Sequence, residues 1–118
     1  MHHTNKPYDL EERTFQLAKA VRLFVKTLPK TIANLNDDKQ VIRASGSIGA
    51  NYREANESLS KKDFLMRIKI SLKEAKESAY WLRLIDETNQ LNNDNAQNLM
   101  KKALELKKIL SSILEKSK

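Results

Sequence analysis

The chain has 118 residues, 22 Lys or Arg against 15 Asp or Glu and a formal charge of +7, with 40% hydrophobic and 31% charged side chains. That is room for one domain with a modest core, and the mixture fits a folded chain with a heavily solvated surface. Two glycines, two prolines and no cysteine argue against turn-rich β-sandwiches and barrels, phosphate-binding glycine loops and dinucleotide folds, and they exclude disulfides, thiolate catalysis and cysteine-based metal centres.

Residues 1–8 carry no packing pattern and are expected to form a disordered tail ahead of a single domain over 9–118. The only histidines, His2 and His3, fall in that tail, so a preorganised imidazole base is not expected. No apolar run approaches the ~20 residues of a membrane span, nothing at the start looks like a secretory leader, and a cytoplasmic location is the expectation.

The first helix is predicted over about Asp9–Leu28. Asp9 and Glu12 have capping-box spacing, and Leu10, Leu17, Val21, Phe24, Val25 and Leu28 share one face. Pro29 ends it, because the residue before proline resists the α region. A polar connection, Lys30–Asn36, leads to a second helix over about Asp37–Ser58 with Val41, Ala44, Ile48, Tyr52 and Ala55 on its apolar face. Gly46 and Gly49 fall inside it, each costing roughly 0.8–1 kcal/mol relative to alanine. A break over Ala44–Ala50 is the alternative. A continuous helix is preferred because the apolar phase survives the glycines, whose G-x-x-G step would let another helix approach closely.

The third helix is predicted from Ser60, with Asp63 completing a capping box, to about Thr88. Its core stripe is read as Phe64, Leu65, Ile68, Leu72, Ala75, Ala79 and Leu82. A second apolar group, Met66, Ile70, Trp81, Leu84 and Ile85, lies about 200–300° around the axis from Phe64. One helix of a monomeric bundle needs a single stripe, so this group is read as an oligomer interface; the alternative is a central helix touching both neighbours. Between the stripes run Lys62, Lys69, Lys73, Lys76 and Arg83 with Tyr80 among them. A cationic line with an interleaved aromatic is what a surface tracking phosphates requires, whereas a plain solvated lysine face is the competing reading. Residues 61–118 hold 13 basic and 8 acidic side chains, including Lys101, Lys102, Lys107 and Lys108 of a fourth helix.

That fourth helix follows an Asn-rich break (Asn89–Asn95), with Asn93 or Asp94 as its N-cap. It runs to about Glu115 and buries Leu99, Ala103, Leu106, Ile109, Leu110 and Ile113. Short connections between four long amphipathic helices predict an all-α, up-and-down antiparallel four-helix bundle.

A polar band runs beside the core. Arg43, Ser47, Asn51 and Glu54 share a narrow strip of the second helix, and Glu74 and Glu77 fall inside the second apolar group of the third. Carboxylates there are costly unless paired, and Arg43 facing Glu74 or Glu77 would answer that cost. Arg43, Asn51, Glu54, Glu74 and Glu77 are accordingly read as a structural network. A di-metal centre would need a histidine three residues after a ligating glutamate, but Glu77 and Glu57 occupy those places after Glu74 and Glu54. No metal, cofactor or catalytic constellation is expected, and the chain is read as a non-enzyme.

The run Gln40-Val-Ile-Arg43-Ala-Ser-Gly-Ser47-Ile48-Gly-Ala-Asn51-Tyr-Arg-Glu54-Ala55 resembles the signature of the four-helix bundle proteins of the 23S rRNA intervening-sequence family. Lys62-Asp63-Phe64, the segment from Ile70 to Leu82, and the opening helix with Phe15, Leu17, Ala18, Val21, Phe24, Leu28 and Pro29 are similar to that family as well. The resemblance spans about residues 10–115. It implies a left-handed bundle assembling as a ring-like homopentamer, with no enzymatic activity. It also implies kinship in fold with the accessory variability determinant proteins of diversity-generating retroelements, basic nucleic-acid binders that partner a reverse transcriptase. The combined expectation is a bacterial homo-oligomer that binds RNA or DNA backbones through Lys62, Lys69, Lys73, Lys76, Tyr80 and Arg83. A protein-interaction scaffold, with charge serving only solubility, is the alternative.

Overall fold

The computed structural model of the chain describes residues 7–118, with side chains from Asp9 onward. Four helices account for nearly all of it: α1 (Pro7–Val25), α2 (Ile32–Asn56), α3 (Lys61–Asn89) and α4 (Asn95–Ser117). No strand occurs among the described residues, and no helix is long and apolar enough to cross a membrane.

Helix α1 opens at Pro7, where a missing N–H costs nothing and φ is already helical. Asp9 therefore sits in the first turn, where its charge suits the helix N-terminus, and the expected Asp9–Glu12 capping box does not form. Pro7 and Tyr8 belong to the helix rather than to a tail. The rest of the expected tail, with both histidines, lies outside the described residues. At the other end the N–H groups of Thr27 and Leu28 turn back onto the carbonyls of Phe24 and Val25 at 2.9 and 3.2 Å.

Helix α2 starts five residues before the sequence reading placed it. Thr31 is the N-cap, its hydroxyl accepting the Asn34 N–H at 3.1 Å. The first turn escaped an apolar-periodicity reading because its inward residues, Asn34 and Asp37, are polar and buried. Asn34 exchanges side-chain amide bonds with Asn89 of α3 at 2.8 and 2.9 Å and donates to the Pro29 carbonyl at 2.9 Å. Helix α3 begins on Ser60, whose hydroxyl accepts the Asp63 N–H at 3.1 Å, and it ends at Gln90 in the left-handed region, φ 51°. Asp94 occupies the α4 N-cap without a side-chain bond; Asn93 accepts the Asn95 N–H instead, at 3.0 Å.

Each helix packs on the next and α4 closes back on α1, leaving α1–α3 and α2–α4 across the diagonals. The pairs Asn34–Asn89, Arg43–Glu74 and Asn51–Arg67 climb α2 while descending α3, so the two are antiparallel. Arg53–Glu11 shows the same for α1 against α2, and for α1 against α4 the Arg13–Glu105 pair does so together with the groove where Phe24 and Thr27 meet Asn95 and Asn98. Leu10, Val21, Ile48, Ile68, Leu82, Leu106 and Leu110 close the centre.

The glycine step does bring α1 close. A Cβ at Gly49 would lie 2.7 Å from Thr14 Oγ1 and 3.1 Å from its Cβ, whereas one at Gly46 would meet only the Arg22 guanidinium, at 3.2 Å. Thr14 is buried, branched and bonded to the Glu11 carbonyl; Arg22 ends in a movable group. Gly49→Ala is therefore expected to cost about 1–3 kcal/mol through overpacking. Gly46→Ala is expected to stabilise by up to about 1 kcal/mol through helix propensity. Urea titrations of the two variants check the opposite signs.

Helix α3 is turned relative to its expected core stripe. Ile68, Ser71, Ala75, Ser78, Leu82 and Ile85 are enclosed, while Phe64, Leu65 and Leu72 are only partly covered. The seam against α2 is packed with small hydroxyls: Ser71 donates to the Ile48 carbonyl at 2.7 Å, and Ser78 to Glu74 of its own helix at 2.9 Å. Polar residues that satisfy themselves on backbone carbonyls let two helices approach closely, but they are silent in an apolar count. Ile85, assigned to an oligomer interface, is a correction: it is 0% exposed inside the monomer. Trp81 packs partly against the same core. Both follow from α3 touching two neighbours.

Candidate nucleic-acid interface

Lys62, Lys69, Lys73, Lys76, Tyr80 and Arg83 all stand exposed on one side of α3. At 1.5 Å per residue the line from Lys62 to Arg83 extends roughly 30 Å. Lys73 approaches Glu77 at 3.9 Å, and Arg83 bonds Glu87 at 2.9 Å, which raises the already high pKa of its guanidinium. Lys62, Lys69 and Lys76 form no ion pair among the described residues. Exposed pairs of this kind are weak and yield readily to a phosphate.

The stripe borders the groove between α3 and α4. Near the α4 C-terminus a depression has Lys69, Lys73 and Lys76 as its cations, Glu77 as its acid and Leu72 and Leu114 as its apolar lining. Further along, a larger one of about 690 Å³ brings Arg83 beside Lys101, Lys107 and Lys108, with Asp86, Glu87 and Glu105 among them. The Lys69–Lys76 end thus carries the cleaner positive charge. Lys102, grouped with the other α4 lysines by sequence, is separated from them and lines the α1–α4 groove beside Glu105 and Arg13. Tyr80 is 59% exposed, and its ring meets Trp81 edge to face at 5.0 Å between centroids. Trp81 is itself packed on the core, so it fixes the tyrosine ring while leaving a face to solvent.

The polar band forms a clasp between α2 and α3 that adjoins the stripe at Glu77. Arg43 bridges both carboxylates, Glu74 at 3.2 Å and Glu77 at 3.1 Å. Its hydrogen bond to Glu74, then the charge of that residue, raises the guanidinium pKa further and keeps it charged. The Glu74 side chain is 8% exposed against 54% for Arg43, and Glu74 Oε1 has no partner of its own among the described residues. Asn51 binds Ser47 at 2.9 Å and accepts from Arg67 at 3.0 Å. Arg67 was missed by sequence reading, because its place opposite Asn51 depends on the α2–α3 register. Glu54 is a correction: it stands exposed, in no side-chain bond or ion pair among the described residues. Of the remaining residues assigned to an interface, Met66 is exposed and Ile70 and Leu84 are partly covered.

Fold and surface together define a small antiparallel four-helix bundle whose α3–α4 side carries a line of exposed cations. The chain belongs to the 23S rRNA-intervening sequence protein family, whose profile matches residues 7–112. It is similar to the crystal structure of a protein of unknown function from the S23 ribosomal protein family of Bacteroides thetaiotaomicron VPI-5482. The two share 32% identity and a TM-score of 0.80 over 88% of this chain and 96% of that one. Among functionally curated proteins none matches the chain.

Proposed function

We propose that the protein is a non-catalytic, cytoplasmic nucleic-acid-associated bundle that holds RNA or DNA by its phosphate backbone along the α3–α4 face. The observation carrying this reading is the roughly 30 Å line of exposed cations with Tyr80 set among them. Lysine is a point charge without the planar fork that reads a base edge, so the contacts position a strand rather than read its sequence. Tyr80 adds a stacking surface for an unpaired base, which favours single strands over duplexes. Self-association multiplies the effect. A ring-like homopentamer, the assembly the resemblance implies, would carry about +35 and present five such stripes. Met66, exposed, with the partly covered Ile70 and Leu84, would serve that contact. A protein partner such as a reverse transcriptase would dock on the same assembly.

Fluorescence anisotropy against labelled single-stranded RNA, single-stranded DNA and duplex DNA tests the reading. Binding to the single strands, weakening steeply with salt and little changed by base sequence, is the expected result. Tyr80→Ala is expected to lower single-strand affinity about five- to tenfold, corresponding to ~1 kcal/mol or somewhat more for one stacked base, and to leave duplex affinity nearly unchanged. Absence of binding to every nucleic acid at low salt would overturn it.

A further inference from the structure

A second surface, on the opposite pair of helices, has the shape and charge of a docking groove. Between α1 and α2 a depression of about 400 Å³ is lined by Phe15, Ala18, Lys19, Arg22, Leu23 and Gly46. Phe15 and Leu23 are 56% and 53% exposed, two helical turns apart and about 12 Å along α1. Small residues, Ala18 and Gly46, are set between them. On α2 the exposed strip continues through Leu35, Lys39 and Ala50, at helical spacing from Gly46. Large apolar side chains flanking a small-residue floor admit a helix at short range.

The two charged side chains lining the groove are both cations, and the acid nearest to it in sequence, Glu12, accepts from Gln16 at 2.6 Å. Lys19 and Arg22 line it, Lys39 stands on the adjoining strip, and none of the three forms an ion pair among the described residues. Among the described residues the Arg22 guanidinium hydrogen-bonds only the Ala18 carbonyl of its own helix, at 3.0 Å, and it lies over Gly46. An unpaired guanidinium at the centre of an apolar groove supplies half of a charge-assisted pair.

We infer that the α1–α2 groove docks an acidic amphipathic helix of a partner protein. Two or three turns of that helix place apolar side chains between Phe15 and Leu23, and a carboxylate meets Arg22. The inference is independent of the nucleic-acid reading, which uses the other face.

The test uses a synthetic helical peptide with leucines at i, i+4 and i+7 and glutamates elsewhere. Its controls are a shuffled peptide of the same composition and one with lysine for every glutamate. Amide chemical shifts of the full-length protein are followed on titration. The acidic peptide is expected to shift residues around 15–23 and 42–50, and the controls to leave them still. Gly46→Leu fills the groove floor and is expected to weaken binding tenfold or more with the thermal midpoint retained. Phe15→Ala/Leu23→Ala should do the same without adding bulk. Equal binding of a control peptide, shifts confined to another face, or unchanged binding by both variants would overturn the inference. So would movement of the same amides with protein concentration alone, which would make a second copy the occupant.

Discussion

Replacing Lys69, Lys73 and Lys76 together with glutamate is expected to lower affinity for a single strand of about 20 nucleotides by a hundredfold or more at low salt, with the fold intact. The three side chains point into solvent, and only Lys73 loses a contact, its 3.9 Å approach to Glu77. Exposed pairs of this kind are worth a few tenths of a kcal/mol, so the melting temperature should move by no more than a few degrees. Binding suffers far more, because three attractive phosphate contacts become repulsive along one stretch of the stripe. Net charge falls from +7 to about +1, which would itself weaken any polyanion complex. The control is a variant with the same change in net charge elsewhere, Lys26, Lys30 and Lys39 to glutamate. The stripe reading predicts a loss at least tenfold smaller there; equal losses would mean that overall charge, not this face, does the binding.

Arg43→Ala is expected to be the most destabilising exposed-residue substitution in the protein, at about 2 kcal/mol. A fully buried ion pair broken on one side costs about 3–5 kcal/mol, and the half-exposed guanidinium puts this case below that range. The cause is the residue left behind. Glu74 is enclosed, and among the described residues its Oε1 already lacks a partner and Arg43 is the one cation on its Oε2. For a chain of this length ~2 kcal/mol corresponds to a drop of about 8 °C in Tm. Arg43→Ala combined with Glu74→Met removes the stranded carboxylate and is expected to return most of the loss, since apolar replacement of both partners is often neutral. Thermal unfolding of the two singles and the double closes a mutant cycle. A double variant as unstable as the sum of its singles would show that the pair is not coupled.

That Arg43–Glu74–Glu77 contact was legible in the sequence, as were the Ser60 cap and the continuity of α2 through its glycines. Each rests on a local rule: a charge stranded in an apolar band, a capping spacing, an unbroken phase. What stayed hidden depends on register or on polar residues in the core. Asn34 and Asp37 face inward at the start of α2, so the helix begins earlier than its apolar residues do. Ser71 and Ser78 fill the seam between α2 and α3, which rotates the buried arc and draws Ile85 into the core. Lys101, Lys107 and Lys108 join the α3 stripe while Lys102 faces α1, a division that follows only from how α4 is rolled against its neighbours. The Arg22 and Phe15 groove requires α1 and α2 to be docked before it exists at all.

The central claim, that nucleic acid is held by cations on the α3–α4 face, is tested most directly by salt dependence. Log affinity for a single strand is measured against log salt for the wild type and for Lys69→Gln/Lys73→Gln/Lys76→Gln. Each lost phosphate contact lowers the slope by about 0.7 on single strands, so the neutralised variant should be shallower by about 2. Parallel lines for the two proteins would contradict the account.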